Sequence, residues 1–167
     1  MLRKNRETLV RLNHPRYSDE IFELYCKHSK IKFGQDSEVS SFQESFFTPA
    51  VPSVQSEYYI EGKLVGVGFL DISLNALSSV YFIYDPDYSS YSPGIFSVMK
   101  EIDIGRELGI SYYNLGFWIS ENRRMAYKGN FHPYQTYHWE EKAWHRGNCY
   151  ESDESVHITD EKDIKTQ

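Results

Sequence analysis

The chain has 167 residues, 40% of them hydrophobic and 16% aromatic, and a formal net charge of −6. This length and apolar content suit one domain able to bury its own core and exclude a disordered chain. The acidic balance excludes broad non-specific binding of nucleic acid, which needs a basic face, while leaving room for a local contact with a few phosphates.

Leu9-Val10-Arg11-Leu12 reads as a short strand. Ser18 is a good N-cap, and Asp19 and Glu20 follow it where acidic side chains favour a helix start. Ile21, Leu24, Tyr25 and His28 then keep helical spacing until Gly34 stops the helix. A second helix is expected from about Ser37, with Val39, Phe42 and Phe46 on one face, ending at Thr48-Pro49.

The period then changes. Glu57 to Ile60 and Lys63 to Leu70 flank Glu61-Gly62, a hairpin signature. Ser79 to Tyr84 is a third strand, closed by Asp85-Pro86-Asp87. Ser92 as N-cap, Pro93 at the first position and Gly94 open a helix with Ile95, Val98, Met99 and Ile102 on its buried face, ended by Gly109. Tyr112 to Ile119 is predicted as a strand, Asn122 to Lys128 as a short helix and Tyr134 to Trp144 as a last strand or hairpin arm. Residues 1–146 are expected to form one domain, and 147–167 an acidic disordered tail.

This element order predicts an α+β protein with a mixed, mostly antiparallel sheet flanked by helices. The order resembles that of the GCN5-related N-acetyltransferase fold. In that fold two neighbouring strands splay apart and the acyl donor lies in the gap, against the start of the connecting helix. The Gly-rich loop Q/R-x-x-G-x-G/A expected of an acetyl-CoA enzyme is missing.

The candidate site residues cluster around that helix. Its first amides and Gly94 suit an anion or a carbonyl oxygen, with Ser92 beside them. Tyr84 and Asp85 end a strand, and Asp85 is placed to hold or deprotonate an amine, or simply to form a turn with Pro86. Arg123, Arg124 and Lys128 suit a carboxylate or phosphate, and Tyr127 a developing oxyanion; a solvated basic helix face is the plainer alternative. Gly116 in a strand suggests a bulge, and Trp118 a pocket wall; either is equally compatible with plain core. The six histidines show no HExxH or other familiar ligand spacing, so no metal site is expected. Cys26 and Cys149 are expected to be free thiols in a cytoplasmic protein without a membrane segment.

Together these motifs are similar to the C-terminal domain of the arginyl-tRNA–protein transferases and their bacterial leucyl-transferring relatives. The family pattern runs approximately YDPD, RSLGTY, a helix with EI, LGYWI, KMAYK and FRP. This chain has Tyr84-Asp85-Pro86-Asp87, Tyr91-Ser92-Pro93-Gly94-Ile95-Phe96, Glu101-Ile102, Leu115-Gly116-Phe117-Trp118-Ile119, Arg124-Met125-Ala126-Tyr127-Lys128 and Phe131-His132-Pro133. The departures are Tyr91 for Arg, Pro93 for Leu and His132 for Arg, and the family's N-terminal cysteine-containing domain has no counterpart here.

The resemblance implies an aminoacyltransferase that moves arginine, or a similar amino acid, from aminoacyl-tRNA to a free amine. The acceptor would be the acidic N-terminus of a protein or a small molecule. Asp85 and Tyr127 would be catalytic; Tyr84, Ser92, Gly94, Gly116, Trp118, Arg123, Arg124 and Lys128 would bind substrate. Aminoacyl-tRNA serves as co-substrate with no further cofactor, and a partner protein is expected in place of the N-terminal domain. The competing expectations are a CoA-dependent N-acyltransferase and a non-catalytic module that binds acidic N-termini.

Overall fold

The computed structural model describes residues 3–147. They fall into two compact units, the first ending at Phe117 and the second beginning at Trp118. The expected acidic tail from residue 148 onward, and Cys149, lie outside the described residues. Among the described residues no helix is long and apolar enough to cross a membrane.

The first unit runs β1 (Leu9–Asn13), α1 (Asp19–Phe33), α2 (Val39–Phe47), β2 (Ser53–Ile60), β3 (Lys63–Ile72), β4 (Ala76–Tyr84), a 3-10 turn (Pro86–Tyr91), α3 (Pro93–Glu107) and β5 (Tyr112–Asn114). The sheet order is β1-β2-β3-β4-β5. The first four strands pair antiparallel, and β4 pairs β5 in parallel. The β4–β5 connection is the one that needs a crossover, and α3 supplies it.

Local chemistry sets most of these elements. Ser18 Oγ accepts the amide of Ile21 (3.3 Å), and α1 closes at Gly34, where φ is 69° and the Gly34 amide donates to Lys30 O. In the β2–β3 hairpin Glu61 and Gly62 both have positive φ, 51° and 80°. That pairing gives a two-residue turn whose twist matches the flanking strands.

Helices pack on both sheet faces. Ile21 and Leu24 of α1 and Phe42 of α2 join Leu64, Val67, Phe69 and Ile83 in one cluster. Phe42 stacks on Tyr25 at 4.5 Å and Phe46 on Phe69 at 4.4 Å, so α2 is held largely by aromatic contacts. On the other face Phe96 of α3 packs with Tyr58, Ile60 and Val65. Leu64 and Val65, adjacent in β3, serve opposite faces, and the register shift there lets Leu64 and Val67, three apart, share one cluster.

Four expectations need correction. The strand predicted over Tyr112–Ile119 ends at Asn114. Gly116 is not a bulge within a strand: it has φ 71° and donates its amide to Asn114 Oδ1 (2.9 Å), a turn that breaks the ladder. Phe117 beyond it is 75% exposed, so the apolar run does not mark a buried strand. Ser92 has φ 54°, and its side chain accepts no helix amide. In the second unit, Asn122–Lys128 is a set of turns leading into a 3-10 helix over Ala126–Asn130, not an α-helix. Asn122 organises those turns, accepting Met125 and Ala126 amides on its carbonyl and the Arg124 amide on Oδ1.

The second unit closes with a hairpin of β6 (Gln135–His138) and β7 (Ala143–Arg146), in place of the single long arm also considered. Trp118 meets Tyr134 edge to face at 5.7 Å. It lies so near Gly129 that a Cβ there would come within 2.7 Å of the indole, so any larger residue at 129 would displace that ring.

Candidate functional site

The first unit contains a fork. The β4–β5 ladder consists of Ala76↔Tyr112, Leu77↔Tyr113 and Ser78↔Asn114. Beyond Ser78, β4 continues to Tyr84 while the chain after Asn114 turns away. Tyr84 and Asp85 stand at the far end of β4, and the 3-10 turn carries the chain from there to the start of α3.

Asp85 is 2% exposed. Its carboxylate takes Lys27 Nζ on Oδ1 at 2.5 Å, Lys63 Nζ on Oδ2 at 2.9 Å and the Asp87 amide at 3.1 Å. Burial pushes its pKa up, but the hydrogen bonds from Lys27, Lys63 and the Asp87 amide outweigh it, and the net shift is downward. Lys27 also reaches Asp87 Oδ2 at 2.6 Å, and those two aspartates raise its own pKa. A carboxylate held this way is a weak base and a firm anchor. The Asx turn with Pro86 is present as well.

Tyr84 is braced by α1. His28 Nδ1 lies 3.0 Å from Tyr84 O and 3.2 Å from Tyr84 N, the rings meet at 4.8 Å, and Lys32 Nζ sits 5.2 Å over the phenol ring. His28 is buried, and burial lowers its pKa, which favours the neutral ring. On the other side Asn5 Nδ2 and Lys4 Nζ donate to the carbonyls of Tyr91 and Ser90, bracing the 3-10 turn.

The start of α3 differs from a free helix N-terminus. Pro93 has no amide proton, and the Ile95 and Phe96 amides both donate to Ser92 O, at 3.1 and 3.0 Å. The Phe96 bond is the ordinary first bond of the helix, so the first-turn amide that Ser92 O takes from a bound anion is that of Ile95. The space beside Gly94 is open.

At the base of the fork lies a residue that sequence reasoning noted only as part of a motif. Glu101 of α3 is 0% exposed, and the Tyr113 hydroxyl of β5 donates to its carboxyl. Burial raises its pKa to about 7, against the opposing hydrogen bond from Tyr113 and the neighbouring Ser79 and Ser56 hydroxyls, while Oε1 makes no hydrogen bond. Those hydroxyls come from β5, β4 and β2, and Gly68 of β3 allows the approach, since a Cβ there would stand 2.7 Å from Glu101 Oε1. An acidic residue between apolar Val98 and Ile102 in a buried helix was the available signal.

The remaining predicted residues belong to the end of the first unit and to the second. Gly116 forms the turn after β5. Trp118 packs with Gly129 and Tyr134, Arg123 and Arg124 are exposed, and Tyr127 meets Phe131 edge to face at 6.4 Å. Lys128 is half-buried, and burial lowers its pKa. The lysines on Asp85 were missed because they lie far from it in sequence.

Residues 19–138 match the family described as arginine-tRNA–protein transferase, C terminus. The aspartate/glutamate leucyltransferase of Chromobacterium violaceum is 36% identical over 103 residues, which is 62% of this chain and 43% of that protein. That of Helicobacter hepaticus is 29% identical over 143 residues, 81% of this chain and 59% of that protein. Arginyl-tRNA–protein transferase 1 of Dictyostelium discoideum is 39% identical over 101 residues, 58% of this chain and 16% of that protein. The chain thus spans less than two thirds of each of these relatives. Among solved structures, the ribosomal-protein-S18-alanine N-acetyltransferase of Escherichia coli aligns with a TM-score of 0.57 at 12% identity, over 77% of this chain and 79% of that one. The expected GCN5-related N-acetyltransferase fold is therefore the observed one; at that identity the likeness concerns fold alone.

Proposed function

Because the chain belongs to the family of the arginine-tRNA–protein transferase C-terminal domain, we propose that it transfers an aminoacyl group from aminoacyl-tRNA to the free amine of a protein with an acidic N-terminal residue. The neutral amine attacks the ester carbonyl, a C–N bond forms, the C–O bond to the tRNA ribose breaks, and the amine's proton leaves with the ribose hydroxyl. The observation that carries this reading is the ordered motif set from Tyr84 to Pro133, all inside the matched span.

Tyr127 is the hydrogen-bond donor to the tetrahedral oxyanion, and Arg123, Arg124 and Lys128 hold the acidic acceptor or the tRNA end. Asp85 acts as an anchor that keeps Tyr84 and the lysine pair in place; as a base it would have to give up two ion pairs. Arginine is the first reading for the donated amino acid, since the Dictyostelium arginyltransferase is 39% identical. Leucine is the second, favoured by a leucyltransferase alignment over 81% of the chain. Acyl transfer from CoA is disfavoured by the start of α3, where Pro93 offers no amide and that of Ile95 already serves Ser92 O.

The test is to incubate the protein with labelled Arg-tRNA or Leu-tRNA and peptides beginning with Asp or Glu. Label is expected in an amide product, and Tyr127→Phe should lower kcat by roughly a hundredfold, the usual loss of one oxyanion donor. Absence of amide from every charged tRNA and acceptor combination overturns the reading.

A further inference from the structure

The second unit's hairpin gathers three metal-binding side chains. His138 ends β6, Glu141 lies in the turn and His145 sits on β7. The register pairs Thr136 with His145 and His138 with Ala143, so both imidazoles stand diagonally on one face of the ladder, while Tyr137 and Trp144 pair on the other. The ligand atoms of His138, Glu141 and His145 all lie within 4.8 Å of one another. His145 Nε2 is 2.8 Å from Glu141 Oε2, and the two imidazole centroids are 4.2 Å apart.

We propose that His138, Glu141 and His145 bind one divalent cation of the zinc class, with the remaining coordination position left to water. Two imidazoles and a carboxylate form a donor set suited to zinc and similar borderline ions. It does not suit magnesium or calcium, which prefer all-oxygen shells. Around a tetrahedral ion with bonds of about 2.1 Å the ligand atoms stand about 3.4 Å apart, a small contraction from the observed spacing. Thr136 Oγ1, 3.3 Å from His138 Nε2, fixes the rotation of that ring, as an outer partner does for a ligating histidine.

An ion pair between Glu141 and His145 accounts for two of the three groups, but not for His138 beside them. The spacing His138-x2-Glu141-x3-His145 is not one of the common zinc patterns, and it becomes a cluster only when β6 and β7 pair. Glu141 and His145 also lie past the span matched to the family, so the cluster is not part of the matched region.

The test is calorimetric titration of the whole chain with zinc chloride, with magnesium chloride as the contrast. One zinc per chain and no magnesium response are expected. His138→Ala should weaken zinc at least as much as the roughly tenfold cost of losing an outer-shell partner, and His138→Ala with His145→Ala should abolish it. Cobalt loaded in place of zinc should absorb in the visible without a thiolate charge-transfer band. If the double variant fails to fold, Glu141→Gln stands in for it, and the same weakening is expected. No saturable zinc binding, unchanged binding in the variants, equal binding of magnesium or a thiolate band each overturns the assignment.

Discussion

Two carboxylates in the first unit are both buried, yet they end in opposite states. Asp85, at the far end of β4, is enclosed by two ammonium groups and an amide, and its pKa falls. Glu101, at the base of the fork, meets only hydroxyls, and its pKa rises to about 7. Burial opposes charge at both places. Glu101 lies the deeper of the two, and the partners differ: ammonium groups with their own access to water stabilise the anion of Asp85, whereas neutral donors do not offset the full desolvation of Glu101. One end of β4 is thus held by charge and the other by a largely neutral hydrogen-bonded cluster.

The sharpest way to break this contrast is to put a charge where only neutral groups stand. Glu101→Lys places an ammonium among the Tyr113, Ser79 and Ser56 hydroxyls with no anion beside it. It should cost more than about 3 kcal/mol, the scale of an uncompensated buried charge, read from urea unfolding. A milder change at the other end, Asp85→Asn, keeps the shape and removes the charge. Since Lys27 and Lys63 remain partly solvated, the expected loss is about 1–2 kcal/mol in the same measurement.

The smallest effect is also the most specific. Glu101 has a folded pKa above its ordinary 4.5, so the folded state binds more protons between pH 4.5 and about 7. Its contribution to stability therefore declines as pH rises through that window. Glu101→Gln should flatten the decline. Asp85, with a folded pKa below its ordinary 3.8, contributes stability present above pH 3.8 and lost as pH falls below it. Asp85→Asn should remove that acid-side loss and leave the neutral-side slope untouched. Thermal melts across pH on both variants read the two slopes separately.

The parts of the fold legible in the sequence are those set by neighbours along the chain. Ser18 and Gly34 bound α1 as their capping chemistry predicts, and Glu61-Gly62 makes the hairpin turn. Leu115–Ile119 misleads because apolar spacing cannot tell a strand from an exposed loop; the missing ladder partner and the left-handed Gly116 decide it. Ser92 misleads for a similar reason: its side chain suits a cap, but the turn arriving from Tyr91 forces a backbone in which the cap bond is not made. At the candidate site, the Asp85 motif was visible, but Lys27 and Lys63 were not, because charge pairing across three elements leaves no local signature. Glu101 was visible only as a motif member, since its state depends on hydroxyls from three strands.

The close approach of Gly68 to Glu101 has a consequence for how this chain can vary. A side chain at position 68 and a carboxyl at position 101 compete for the same few cubic ångströms beneath the sheet. The constraint runs one way: a larger residue at 68 meets Ser56 Oγ as well as Glu101 Oε1, so it demands room from both β2 and α3, whereas position 101 can shorten alone. Three elements thus share one small volume, and the glycine is what lets the helix carboxyl and the strand hydroxyl both reach it.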